Sequence, residues 1–280
     1  MTNTTTINWP APAKVNLFLH ITGRRWDGYH LLQTVFQFLD YCDLLSFDVR
    51  NDGVIRRVNG IPGLPPEKDL IIRAAQLLQR TTGTKQGADI HIDKKIPLGG
   101  GLGGGSSDAA TTLTALDKLW DTALTREQLL GLGLQLGADI PIFLSGQASW
   151  AEGIGEQLTP ISLPEPWYVV IVPPCHVDTA GVFNKTELTR DSHPIKIENF
   201  LSGQVVNVCE PVVCEAYPPV ARAREWLSEF GTARMSGTGA CVFAPFDKRD
   251  HANHVLNKLP AGWVGFIAKG LNRSPLFDMA

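Results

Sequence analysis

The sequence is poor in charge, has no cysteine pattern and contains no long apolar run, and each shortage removes a class of function. Charged residues make up 19% of the 280, with a net charge of −3, and no basic stripe is present that would neutralise a nucleic-acid backbone. A nucleic-acid partner is therefore not expected, and any anion recognition must be local. The five cysteines (Cys42, Cys175, Cys209, Cys214 and Cys241) are odd in number and contain no C-x-x-C pair, so neither a disulfide framework nor a zinc site is indicated. Reduced thiols fit a cytoplasmic protein. No stretch reaches the length of a membrane span, and residues 1–8 lack the basic and apolar regions of a secretory leader, so no membrane partner is expected. What remains is a globular chain, 44% hydrophobic and long enough for two domains.

Glycine, in contrast, is concentrated. Pro97, Leu98, Gly99, Gly100, Gly101, Leu102, Gly103, Gly104, Gly105, Ser106 and Ser107 follow one another, with six glycines in the seven positions from Gly99 to Gly105. Backbone so free of Cβ atoms turns through positive φ and brings its N–H groups against a ligand. A helix N-terminus directly behind it adds unpaired amides and the positive end of a dipole. The segment predicts a phosphate-binding loop. No lysine follows the last glycine, as a P-loop requires. The acids available about 20 residues on, Asp117 and Asp121, lie in or just after the same helix and not at a strand end, which disfavours a dinucleotide site.

Ser106 or Ser107 is read as the cap of that helix, with Asp108 in its first turn and Ala109, Leu113, Leu116 and Trp120 as one buried stripe. Alternation over 13–21 predicts a strand with Val15, Leu17, Leu19 and Ile21 on one face and Lys14, Asn16, Phe18 and His20 on the other. Asp27-Gly28 reads as a turn, 44–49 and 88–93 as strands, and 69–79 as a helix. Thr125 and Gln128 form a capping box for a helix stopped by Gly137, and 138–141 opens a short helical segment. Later, strands are expected over 167–172, 241–244 and 264–268, helices over 220–230 and 251–259, and a loop over 235–240. Three prolines between 160 and 166 divide the chain into domains of residues 1–163 and 164–280. The mixture predicts an α+β architecture with helices on one face of an antiparallel sheet.

Four segments then stand out together: Pro12-Ala-Lys-Val-Asn-Leu17, the glycine loop through Ser107-Asp108-Ala-Ala110, Leu136-Gly-Ala-Asp-Ile-Pro141 and Ser236-Gly-Thr-Gly-Ala240. In this order, and over essentially the whole chain, they resemble the motifs of the GHMP kinases. The longer run from Pro12 to Leu32, with Gly28-Tyr29-His30, resembles those members that act on a cytidine diphosphate sugar alcohol in the non-mevalonate route to isoprenoid precursors. The resemblance implies a two-domain α+β fold, ribosomal protein S5 domain 2-like at the N-terminus and ferredoxin-like at the C-terminus. It also implies ATP as phosphoryl donor, Mg2+ with it, a small-molecule acceptor, and a monomer or homodimer.

By the same resemblance, Asp139 is the base that takes the acceptor hydroxyl's proton. Lys14 keeps that carboxylate ionised, lowers the pKa of the hydroxyl and stabilises charge on the transferring group. Residues 97–107 and Thr238 hold the phosphates; Asp69, Leu70 and Lys94 lie at the adenine; Asn16, Tyr29, His30 and Phe183 take the cytidyl end. The hydroxyls of Ser106 and Ser107 are the nearest candidates for the metal, for which no ligand set is assigned.

The residues alone leave other readings open. Asp139 before Ile-Pro is a good N-cap, Lys14 a solvated lysine, Lys94-Lys95 a solvated pair, Tyr29 and His30 turn-flanking residues, and 236–240 a tight hairpin. Where relatives commonly carry Asn-Leu, Asp69-Leu70 replaces an amide by a carboxylate that cannot donate, which puts side-chain recognition of adenine in doubt. The alternatives are a homoserine- or mevalonate-type kinase, whose acceptors lack a base for Tyr29 to stack on, and an inactive nucleotide-binding relative, which would not need both Lys14 and Asp139.

Overall fold

The computed structural model describes residues 8–60, 65–201 and 205–278; residues 1–7, on which most of the leader-free reading rests, lie outside them. In chain order the elements are β1 (Trp9–Arg24), β2 (His30–Arg50), β3 (Ile55–Arg57), α1 (Leu70–Thr82), β4 (Gly87–Asp93), α2 (Gly104–Leu119), α3 (Arg126–Leu136), α4 (Ile140–Ser145), β5 (Ser149–Glu152), β6 (Gln157–Pro160), β7 (Trp167–Val172), α5 (Thr179–Asn184), α6 (Ile197–Leu201), α7 (Glu210–Ala216), α8 (Pro218–Ser228), β8 (Arg234–Met235), β9 (Val242–Phe246), α9 (Arg249–Leu256) and β10 (Val264–Leu271). Among the described residues no helix is long and apolar enough to cross a membrane.

The strands form one sheet along the path β3-β4-β2-β10-β7-β9-β8, with β1 and β5 also on β2 and β6 on β5. Its pairings are antiparallel except β3 with β4. β10 joins the two halves, pairing with β7 along its length and with β2 at Gly270↔Leu39 and Leu271↔Phe38. The expected α+β plan is thus met, and β2 is a single strand of 21 residues, longer than the 44–49 run expected.

Helices cover the sheet where the periodicity places apolar side chains. Ile71, Ala74 and Leu78 of α1 and Ala109, Leu113 and Leu116 of α2 pack on Phe36, Phe38 and Leu45 of β2 and Ile90 of β4. A second core gathers Val169 and Ile171 of β7, Val213 of α7, Val220 and Leu227 of α8, and Val255 of α9. Each large side chain buried this way stabilises the fold by about 1.5–3 kcal/mol.

Two local expectations need correction. Register shifts between Pro12 and Lys14, Asn16 and Leu19, and Ile21 and Gly23 interrupt the alternation of β1. Bulges re-aim side chains, so Val15, Phe18 and Leu19 end in three different clusters instead of on two faces. Lys14 and Asn16 nevertheless stay together. The helix expected behind a serine cap starts earlier: Gly103 at φ 72 is the N-cap of α2, no side chain caps it, and Ser106 and Ser107 lie inside its first turn. Asp108 falls beyond that turn. The glycines are already helical at 104, which leaves the leading amides uncapped, and α2 is buried on more than the single stripe expected. Elsewhere the Thr125/Gln128 capping box is formed and Gly137 ends α3, as read, while Asp69, read as the first helical residue, is instead the N-cap of α1.

Candidate active site

A cavity of about 690 Å³ lies where β1, β2, the glycine loop, the head of α4, the β1–β2 turn, α5 and residues 237–239 converge. Lys14 rises from β1 into it, 3% exposed, with Nζ 3.4 Å from Oδ2 of Asp139. The same ammonium donates to Asn16 Oδ1 at 2.5 Å and to Gly101 O at 3.3 Å, and stands 5.2 Å from the Phe36 ring centroid. Asn16 in turn donates through Nδ2 to Thr34 Oγ1 at 3.0 Å. Lys14 is therefore a buried, fully engaged cation, and the solvated reading fails.

Asp139 stands at the N-cap position of α4, with proline following in the first turn, but its side chain makes no capping bond. The carboxylate faces Lys14 on one side and the cavity on the other, and is 42% exposed. A pure capping role is ruled out by that geometry.

The glycine loop is fixed through its carbonyls. Gly99 O accepts from Ala240 N at 3.3 Å, Gly100 O from Cys241 N at 3.0 Å, and Leu102 O from Lys14 N at 2.9 Å. Gly101 O accepts from Ser236 Oγ at 2.8 Å. At Gly101, φ is +73° and a Cβ would stand 2.1 Å from Ser236 O, so no other residue fits without displacing the 236–240 turn. That turn joins the antiparallel β8 and β9. It is a hairpin and a brace for the loop at once. Gly99, Gly101, Gly103 and Ser106 line the cavity, whereas Pro97 and Leu98 do not.

Two atoms behind the loop bear on a metal. Ser107 Oγ and Asp108 Oδ1 are buried with no hydrogen-bond partner among the described residues, and such groups are costly unless something satisfies them. The donor set suits a hard cation held partly by phosphate oxygens. No cluster of three or more His, Cys, Asp or Glu is found among the described residues.

The residues expected at adenine lie outside the cavity, on the far side of the loop. Leu70 Cδ1 is 3.7 Å from where a Cβ on Gly105 would stand, and Lys94 Nζ is 3.0 Å from the corresponding point on Gly104. Asp69 is spent on the fold: Oδ1 accepts from Ile71 N and Oδ2 lies 3.0 Å from Arg57 Nε, both partners buried. Lys94 is no solvated lysine. It bridges Asp43 and Asp108, 2.7 Å from the latter. Burial opposes its charge, but the two carboxylates outweigh burial and raise its pKa. Asp108 is pushed up to about 8, chiefly by burial, with Lys94 opposing and Asp43 adding to the rise. Asp43, fully buried and accepting from the backbone N–H of Lys95 and Ile96, is missed by sequence reasoning; a carboxylate inside an apolar strand is the signal for it.

At the other end, His30 and Phe183 stack with ring centroids 5.0 Å apart and planes 19° apart, both lining the cavity beside the exposed Tyr29. The His30 pKa is lowered, first by burial and then by Arg190 and Arg24, and its Nε2 has no partner among the described residues. Phe183 comes from α5, a six-residue helix capped by Asp178 that the sequence did not reveal. Thr179 of the same helix shares a 2.9 Å hydrogen bond with Thr238, which ties α5 to the turn over the loop.

Comparison with known proteins identifies what the chain is similar to. The model for the N-terminal domain of GHMP kinases matches residues 69–147, and that for the C-terminal domain matches 189–265. A 4-diphosphocytidyl-2-C-methyl-D-erythritol kinase from Nitrosococcus oceani is 57% identical over 270 residues, covering 96% of both chains. A crystal structure of 4-(cytidine 5'-diphospho)-2C-methyl-D-erythritol kinase superposes with a TM-score of 0.82 at 33% identity, covering 94% of this chain and 99% of that one. A homoserine kinase structure from Cytophaga hutchinsonii shares the fold alone, with a TM-score of 0.68 at 16% identity over 98% of this chain and 96% of that one.

Proposed function

The chain belongs to the GHMP kinase family, and from that premise we propose that it transfers the γ-phosphoryl group of ATP to the 2-hydroxyl of 4-(cytidine 5'-diphospho)-2-C-methyl-D-erythritol, in the non-mevalonate route of isoprenoid and terpenoid biosynthesis. The observation that carries this reading is the Lys14–Asp139 contact inside one cavity, with a glycine loop beside it and a stacked His30–Phe183 pair.

Asp139 is the general base. Its open side takes the proton of the acceptor hydroxyl as that oxygen attacks the γ-phosphorus, and such positioned proton transfer contributes roughly 10²–10⁴-fold. Lys14, buried and held by Asn16, orients the carboxylate and stabilises charge on the transferring group. The loop from Gly99 to Ser107, together with Thr238, receives the phosphates through backbone amides and the α2 dipole, with Pro97 and Leu98 leading into it. Ser106, Ser107 and Asp108 would hold Mg2+, which when bound neutralises phosphate charge. Leu70 and Lys94 lie at adenine, with Asp69 contributing backbone only.

Tyr29, His30 and Phe183 give cytosine its stacking faces and a base-edge partner, while Asn16 lines that part of the cavity with its amide engaged by Lys14 and Thr34. A nucleobase site disfavours homoserine and mevalonate as acceptors. The division at 163/164 separates the loop-bearing domain from the one that supplies Phe183 and Thr238, and the enzyme works in the cytoplasm. Steady-state assays with ATP and each alcohol test the reading: turnover of the cytidyl alcohol is expected, and turnover of homoserine or mevalonate in its place would refute it.

A further inference from the structure

The 236–240 turn is gripped from behind by two side chains that the chemistry above does not use. Asn207, 7% exposed just ahead of α7, donates through Nδ2 to Met235 O at 2.9 Å and Gly237 O at 2.7 Å, and accepts from Cys209 N at 2.9 Å through Oδ1. Glu210, the first residue of α7, accepts from Met235 N through Oε2 at 2.8 Å and from Arg224 Nε through Oε1. The backbone beside Asn207 is itself fixed to β1, since Leu19 N donates to Val206 O at 3.2 Å and Val208 N to Leu19 O at 2.9 Å. The Asn207 amide thus joins the head of α7 to the turn, on a backbone that its two neighbours hold to β1.

The turn passes its position to the reacting groups. Ser236 Oγ accepts from Asn16 N at 3.2 Å and donates to Gly101 O at 2.8 Å. Gly237 lies so close that a Cβ there would stand 3.2 Å from Asn16 Oδ1. Asn16 Oδ1 and Gly101 O are the two oxygens to which the Lys14 ammonium donates. A shift of the turn therefore moves both anchors of Lys14, and a misplacement of about 1 Å at a reacting centre costs on the order of 10² in rate.

We propose that Asn207 and Glu210 are positioning residues for phosphoryl transfer, a clamp that sets the 236–240 turn over the glycine loop and through it the placement of Lys14. The activity arm of the test rests on the acceptor proposed above; the exchange arm does not. In Asn207→Asp an oxygen replaces the donating NH2 and faces two carbonyl oxygens, and Glu210→Ala removes the other half of the grip.

Both variants are expected to lower kcat ten- to a hundredfold with KM for ATP and for the cytidyl alcohol within threefold. In the ligand-free protein, amide hydrogen exchange over residues 235–241 should accelerate at least tenfold. Gln33→Ala is the control: it removes a buried amide bonded to Glu152 and to the backbone of Ile195, away from the turn. It should lower the melting temperature without altering kcat or that exchange. Unchanged exchange in both clamp variants, a loss confined to KM, or failure of both to fold would overturn the clamp, the last by showing that they hold the whole layer. A wild-type enzyme inert toward the cytidyl alcohol would refute the acceptor, and exchange would still decide the clamp.

Discussion

The carboxylate of Asp139 turns away from the helix it introduces and toward Lys14, whose Nζ lies 3.4 Å from its Oδ2. An aspartate that gives up a capping bond forgoes about 1 kcal/mol of local stabilisation. Its replacement should therefore harm catalysis far more than stability.

In Asp139→Asn, turnover should fall by about 10² or more, while ATP affinity measured by titration stays within threefold and the melting temperature hardly changes. Lys14→Met should lower turnover and stability together, because the buried Asn16 Oδ1 loses its donor. Wild-type turnover in Asp139→Asn would place the base elsewhere.

Phe183→Ala removes one face of the aromatic stack. Base–aromatic stacking contributes about 1–3 kcal/mol, so KM for the cytidyl alcohol should rise roughly 5- to 150-fold with KM for ATP unaffected. The lowered His30 pKa keeps the imidazole neutral through neutral pH. Acceptor KM should stay flat as pH falls to the ordinary imidazole range near 6.5 and rise only below it; a rise already between pH 8 and 7 would contradict a neutral His30.

Burial raises the pKa of Asp108 in the nucleotide-free fold above the unfolded value near 4, with the Lys94 ammonium opposing the rise. Above the unfolded value the folded state therefore holds more protons, and this group's contribution to stability falls as pH rises toward the folded value. Urea unfolding of nucleotide-free protein should show Asp108→Asn gaining stability on the wild type steadily as pH rises from 5 to 8. Parallel pH profiles would refute the assignment.

Gly101→Ala should abolish nucleotide binding or weaken it at least tenfold, since its Cβ would stand 2.1 Å from Ser236 O at a positive φ. Gly131, inside α3 with open space around it, gives the contrasting case. Its change to alanine should stabilise the protein by about 0.5–1 kcal/mol and leave nucleotide titrations unchanged.

Long-period patterns carried most of the fold: α1 and α2 are visible from apolar spacing, α3 from its capping box as well, and the later strands from their apolar runs. Lys14, Asp139, the loop and Thr238 were legible because they lie in dense motifs. The region from 173 to 216 was not, since α5, α6 and α7 have five to seven residues each, too few for a helical period to repeat. Phe183 was named from a motif, but its stacking on His30 required α5. Asn207 and Asp43 act through hydrogen bonds to distant backbone, which no local pattern encodes. The bulges of β1 escaped for a related reason: an extra residue shifts side chains without changing composition.

The carbonyls of Gly99, Gly100, Gly101 and Leu102 are all occupied by neighbouring donors. The glycine-rich backbone, which has more conformational freedom to lose than other residues, has therefore surrendered that entropy during folding and not at the moment of binding. On the proposed reading, a triphosphate meets a loop already fixed by these bonds, so little of its binding energy goes into ordering the protein. More is left to hold the phosphates differently in the transition state than in the ground state.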